Sequence, residues 1–176
     1  LSGIILIEKD SCRAIQLFAD RDEDEKEILR HTLDLLSSAD ILLTYNGRHF
    51  DLPFVEARAK RHGLKDFRLP YNLDLYLVVY GHSPLRQMLP SLKQKSLESY
   101  MGLSSGRSDK ISGGESVELY DRYMRTHAFD LEQKILLHNY DDILQLYKLL
   151  PVIEKTDFHR AMFKLGFPAG SLQIKQ

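Results

Sequence analysis

Only one cysteine occurs in the 176 residues, Cys12, so no internal disulfide staples the fold and a reducing compartment is expected, cytoplasmic by default. Any run near the ~18 apolar residues of a membrane span is also lacking. Excess charge of either sign is missing: 24 Lys and Arg stand against 25 Asp and Glu, which excludes a uniformly basic nucleic-acid binder. With 43% hydrophobic residues the chain is not disordered, and it has neither an internal repeat nor a low-complexity segment. What is present suffices for one substantial core, so a single domain is expected. Charge is unevenly placed along it. Residues 1–40 hold 5 basic and 10 acidic side chains, whereas residues 86–110 hold 5 basic and 2 acidic ones.

Hydrophobic spacing sets out the elements. IILIE (4–8) and RAIQLF (13–18), joined by KDSC, read as a β-hairpin. The acidic turn DEDEKE leads into Ile28, Leu29, Leu33 and Leu36, which predicts a helix over about 23–37 with a solvated acidic start. ILLTYN is too short and too continuously apolar for anything but a buried strand. Asp51-Leu52-Pro53 then starts a helix that Gly63 stops. From 64 to 113 the prolines and glycines predict short helices and loops, with Asp74 at the end of an extended piece. Helical spacing returns in SLKQKSLESYM and ESVELYDRYMR. A long helix is expected from a capping box at Asp130 (DLEQ) to Pro151, with a short helix in VIEKTDFHRAMFKLG and an unplaced end, SLQIKQ.

Two places carry ionisable groups that this scaffold does not need. Asp51 sits where a buried strand passes into a helix, the carboxyl end at which ligand sites of α/β sheets form, although on helix physics alone a helix cap is the first explanation of it. Asn46-Gly47 before it reads as a turn. In HNYDDIL, His138 and Asp142 are four apart and share a helix face, while Ile135, Ile143, Leu146 and Leu150 form an apolar stripe and Asp141 is expected to face solvent. A surface pair explains His138 and Asp142 as well. Together, two carboxylates on a strand end and a helix suit hard divalent cations, and a pair of such ions clamps the attacking and leaving oxygens of a phosphodiester. A nearby imidazole is then placed to take the proton of the attacking water. Arg86, Lys93, Lys95, Arg107 and Lys110, with Arg122 and Arg125, are candidates for phosphate contacts, or a solvated mixed face. Tyr45, Phe50 and Tyr71 are candidate base-stacking rings, or core aromatics.

On TYNGRHFDLPF and HNYDDIL, in that order, the sequence resembles the DEDD 3′→5′ exonucleases of the ribonuclease H-like superfamily, and within them the YprB-like ribonuclease H-like domains. LDLYL, LPSLKQKSLESYMGL and RSDKISGGESVELYDRYMRT also resemble that family's middle region, so the likeness covers most of residues 3–153. It implies an α/β fold, a mixed sheet with an antiparallel hairpin and parallel strands flanked by helices. The domain would span residues 1–158, with 159–176 an extension. The resemblance makes Asp51 and Asp142 catalytic metal ligands for two Mg²⁺ or Mn²⁺ ions and His138 the general base. It puts Asn46, Phe50 and Tyr45 against the substrate, the end of single-stranded DNA or RNA. Two departures accompany it. His138 and Asp142 have three residues between them, the spacing of the family's Tyr-type branch, not the four of its His-type branch. The family's first motif, Asp-x-Glu on the central strand, is expected in a segment ahead of Leu1. The rival expectation is an inactive nucleic-acid-binding or scaffold module that keeps the fold.

Overall fold

A computed structural model describes residues 1–103, 107, 111 and 113–155. They form two compact units. One holds residues 1–40, 54–70, 107, 111 and 113–144, and the other holds 41–53, 71–103 and 145–155.

The first unit opens with β1 (Ser2–Glu8) and β2 (Ser11–Leu17), which pair antiparallel with Glu8 opposite Ser11. Ser11 and Cys12, expected in the turn, belong to the ladder, because they pair with Glu8 and Ile7 and leave only Lys9 and Asp10 as the connection. A 3₁₀ turn, Asp22–Asp24, leads into α1 (Glu25–Ser38), where Leu29, Thr32, Leu33 and Leu36 are buried at helical spacing. The acidic start is not wholly solvated as expected. Glu25 accepts hydrogen bonds from the Arg58 guanidinium and stands 2.7 Å from His62 Nε2. The Arg58 bond, chiefly, and then His62 lower its carboxyl pKa to about 2, against the opposing effect of burial. The core of this unit comes from α6 (Gly113–Thr126) and α7 (Phe129–Lys148), where Tyr123, Leu131 and Ile135 are buried and Phe18 packs edge-on to Tyr123. Tyr123 also donates its hydroxyl to Asp20 at 2.6 Å, fixing the chain just after the hairpin.

In the second unit β3 (Ile41–Thr44) and β4 (Tyr71–Asp74) run parallel and in register, Ile41 opposite Tyr71 and Thr44 opposite Asp74. Between them in the chain lies α2 (Asp51–Arg61), the crossover that parallel pairing requires. Gly63, at φ 67°, ends α2 as its position predicts, with Leu64 N–H donating to Ala59 O at 2.9 Å. β3 is less buried than its composition suggests: Ile41 is 61% exposed and only Thr44 is buried, since among the described residues this sheet has two strands and β3 keeps an unpaired edge. The core here is Leu75 and Val79 of α3 (Leu75–His82), Leu85 of α4 (Leu85–Met88), Leu97 and Tyr100 of α5 (Gln94–Tyr100), Leu149, and Val152 of α8 (Pro151–Glu154). Each fully buried Leu stabilises the unit by roughly 1.5–3 kcal/mol.

Two further expectations meet the structure at the C-terminal end. The capping box at Asp130 does not form: α7 already begins at Phe129, because Ala128 O accepts the N–H groups of Leu131 and Glu132. Asp130 instead pairs with Lys134 one turn on, at 3.4 Å. The helix expected in VIEKTDFHRAMFKLG is represented by α8 alone, and its remainder, SLQIKQ and the extension 159–176 lie outside the described residues. Among the described residues no helix is long and apolar enough to cross a membrane.

Candidate active site

The loop between β3 and α2 is fixed atom by atom. Asn46 has a left-handed φ of 60°, and Gly47 follows where a Cβ would lie 2.6 Å from that of Thr44, so no larger residue fits. His49 N–H donates to Asn46 O at 3.2 Å, and His49 Nδ1 lies 2.9 Å from Asn46 Oδ1. Leu52 N–H closes the loop on Gly47 O at 2.9 Å. The turn read from Asn46-Gly47 is therefore present, and Asp51 is the first residue of the helix that follows. Its carboxylate reaches solvent from a crowded surface. Partial burial, and second the negative charge of Asp74, raise its pKa above the usual carboxylate range against the helix-start amide.

Around that loop the other expected residues take different places. Phe50 is 67% exposed beside Asp51. Tyr45 points inward: its ring packs edge-on to Tyr76 and its hydroxyl donates to Leu92 O, with burial raising its pKa. Asp74, which the sequence reading placed only as a strand end, is 4% exposed. It accepts from Asn46 N–H at 2.7 Å, Arg48 N–H at 3.1 Å and Tyr76 N–H at 3.1 Å. Nothing in its immediate sequence signals this, because two of the three donors lie across the strand pair. Glu98 is likewise buried, accepting from Gln94 Nε2 at 3.0 Å.

On α7, His138 and Asp142 share a face as their spacing predicts. Asp142 Oδ2 lies 3.5 Å from His138 Nε2, and Oδ1 lies 2.7 Å from Arg107 Nη2. The Arg107 side chain is only 7% exposed, so this candidate phosphate ligand is engaged with a carboxylate. Asp141 corrects the sequence reading, for it is 3% exposed and not solvent-facing. The reason is phase: the buried positions of α7 are Leu131, Ile135, His138, Asp141 and Gln145, and of the residues that marked the expected stripe Ile135 alone is among them, Ile143, Leu146 and Leu150 being half-buried. Asn139 accepts from Gln16 Nε2 at 2.8 Å, and the same amide donates to Leu136 O at 2.8 Å. Gly3 lies so close that a Cβ there would stand 2.0 Å from Asn139 Oδ1. The hairpin thus seats directly on the helix that carries the pair.

Of the remaining cation candidates, Arg86 stacks over the Tyr80 ring at 4.3 Å, Lys93, Arg122 and Arg125 are exposed, Lys95 is half-buried, and Lys110 lies outside the described residues. Tyr71 is exposed. Asp51 and Asp142 offer the oxygen donors that hard divalent cations take. Among the described residues, however, no three His, Cys, Asp or Glu gather as a metal-holding group, so the donors fit such an ion in kind but not in number.

Residues 1–153 match the model of the RNase_H superfamily. A 68-residue stretch is 40% identical to part of a DNA polymerase of Methanocaldococcus jannaschii, covering 39% of this chain and 4% of that protein. No solved structure matches.

Proposed function

This chain belongs to the RNase_H superfamily, and from that premise we propose that it is a metal-dependent nuclease, a DEDD-type 3′→5′ exonuclease of the YprB-like kind acting on single-stranded DNA or RNA. The observation that carries the reading is Asp51, a carboxylate locked by its backbone at the carboxyl end of a parallel strand, where α/β folds hold their ligands. The pairing of His138 with Asp142 on one helix face supports it. Similarity to a stretch of a DNA polymerase makes DNA the first substrate to try.

Mg²⁺ or Mn²⁺ ions, when bound, would supply the positive charge that a phosphodiester needs at its attacking and leaving oxygens, with Asp51 and Asp142 giving carboxylate oxygens toward them. The protein's own part is positional. His138, set by the helix next to Asp142, takes the proton of the attacking water. Phe50 offers its exposed ring to the terminal base, and Asn46 and Tyr45 shape the strand end behind it. The test is release of mononucleotides from a single strand carrying a 5′ label, with Mn²⁺ added or chelated. A shortening ladder that needs the metal and vanishes in Asp51→Ala and Asp142→Ala is expected. Undiminished activity in both variants would falsify the assignment.

A further inference from the structure

We propose that Asp74, which belongs to neither sequence motif, is a positioning residue that sets the direction of Asp51. Its link to catalysis rests on the nuclease reading above; its geometry does not. The parallel register places Asp74 opposite Thr44, level with the point where β3 ends and the loop begins. From there one carboxylate collects N–H groups from two segments: Oδ1 from Asn46 and Tyr76, Oδ2 from Arg48. Charge-assisted bonds of this kind, made at a site 4% exposed, are stronger than neutral ones. They hold Asn46 in a left-handed conformation that an L-residue seldom adopts.

Only His49 and Phe50 separate Arg48 from Asp51, and Leu52 is bonded back to Gly47. With residues 46, 48 and 52 pinned, the backbone of Asp51 has no independent freedom. A carboxylate that must meet a reacting group within a fraction of an ångström needs this kind of support. Replacement by Asn divides the three bonds. The amide oxygen still accepts from Asn46 and Tyr76, but the amide nitrogen then faces the Arg48 N–H, donor against donor.

The experiment compares the full chain with Asp74→Asn and Asp74→Ala, reading amide hydrogen exchange residue by residue together with kcat and KM on the labelled strand. In Asp74→Asn the Arg48 amide is expected to exchange about tenfold or more faster while Leu97 and Leu149 stay protected, and kcat to fall by roughly 10–100-fold with KM little changed. Asp74→Ala should free the Asn46 amide as well; if that variant fails to fold, the Asn variant alone decides. Wild-type exchange at Arg48 in Asp74→Asn overturns the proposal, as does faster exchange with full kcat. A wild-type chain without nuclease activity, in which Asp74→Asn still frees Arg48, overturns the nuclease reading and leaves the positioning of the loop standing.

Discussion

The two candidate acids are held in opposite ways. Asp51 is fixed through its backbone, by a loop whose amides are bonded to Asp74 and to one another. Asp142 is fixed through its side chain, by Arg107 at one oxygen and His138 at the other. A backbone-held acid has a set origin and a carboxylate open to solvent. One held by its side chain has its oxygens already engaged, so anything that uses them must first compete with Arg107. Rigidity of position and availability of charge are thus divided between the two places.

The sharpest way to break the comparison is to remove each acid. Asp51→Ala and Asp142→Ala should each lower the nuclease rate by about 10²–10³-fold, at about 1.4 kcal/mol per tenfold, measured as single-turnover cleavage. Equal losses would mean that the different ways of holding them serve the same end. Next comes the seat of the hairpin on α7. Gly3→Ala should cost about 1–3 kcal/mol in urea unfolding, because its Cβ would drive into the Asn139 amide, and should cost much less in an Asn139→Ala background. Smaller again is Arg107→Ala. Its partner Asp142 is 41% exposed, so the loss should sit nearer the ~1 kcal/mol of a surface pair than the ~3 kcal/mol of a buried one, while exchange in the Asn46–Leu52 loop stays unchanged.

A pH-dependent effect is expected at Glu25, which Arg58 and His62 hold. Its folded pKa is lowered from the ordinary 4.5 to about 2, so the unfolded chain takes up its proton first as pH falls. The stability that Glu25 contributes is therefore complete above about pH 4.5 and is lost on the way down to about 2. Glu25→Gln should flatten that acid limb in denaturation curves taken at several pH values between about 2 and 4.5.

What the sequence made legible was local. The hairpin, the acid-started helix, the short apolar strand, the Asn46-Gly47 turn and the helix starting at Asp51 are each specified by residues that touch their near neighbours, so pattern and turn chemistry sufficed. Even the His138 and Asp142 pairing followed from helical spacing alone. The phase of α7 did not, because hydrophobicity was taken to mark its inner face, and that face carries His138, Asp141 and Gln145. Both amide atoms of Gln145 are buried without a hydrogen-bond partner among the described residues, a polar interior no apolar pattern announces. The bonding of Asp74 and Arg107 escaped for another reason: most of their partners are distant in the chain, and the three donors to Asp74 are main-chain amides, which are the same whatever the residue.

The Asn46-Gly47 step bears on how this protein ages. In a slack chain the amide nitrogen after an asparagine attacks the side-chain carbonyl, expels ammonia through a succinimide, and leaves aspartate or isoaspartate. Asn-Gly does this fastest, since glycine offers no side chain to obstruct the approach. Here the left-handed backbone of Asn46, its amide bonded to Asp74 and its side-chain oxygen turned to His49 hold the reacting atoms in one fixed arrangement. The same bonds that aim Asp51 thus restrain both the backbone and the side chain of Asn46, and a chain that loses them is expected to deamidate there faster, a slow chemical clock beside its candidate active site.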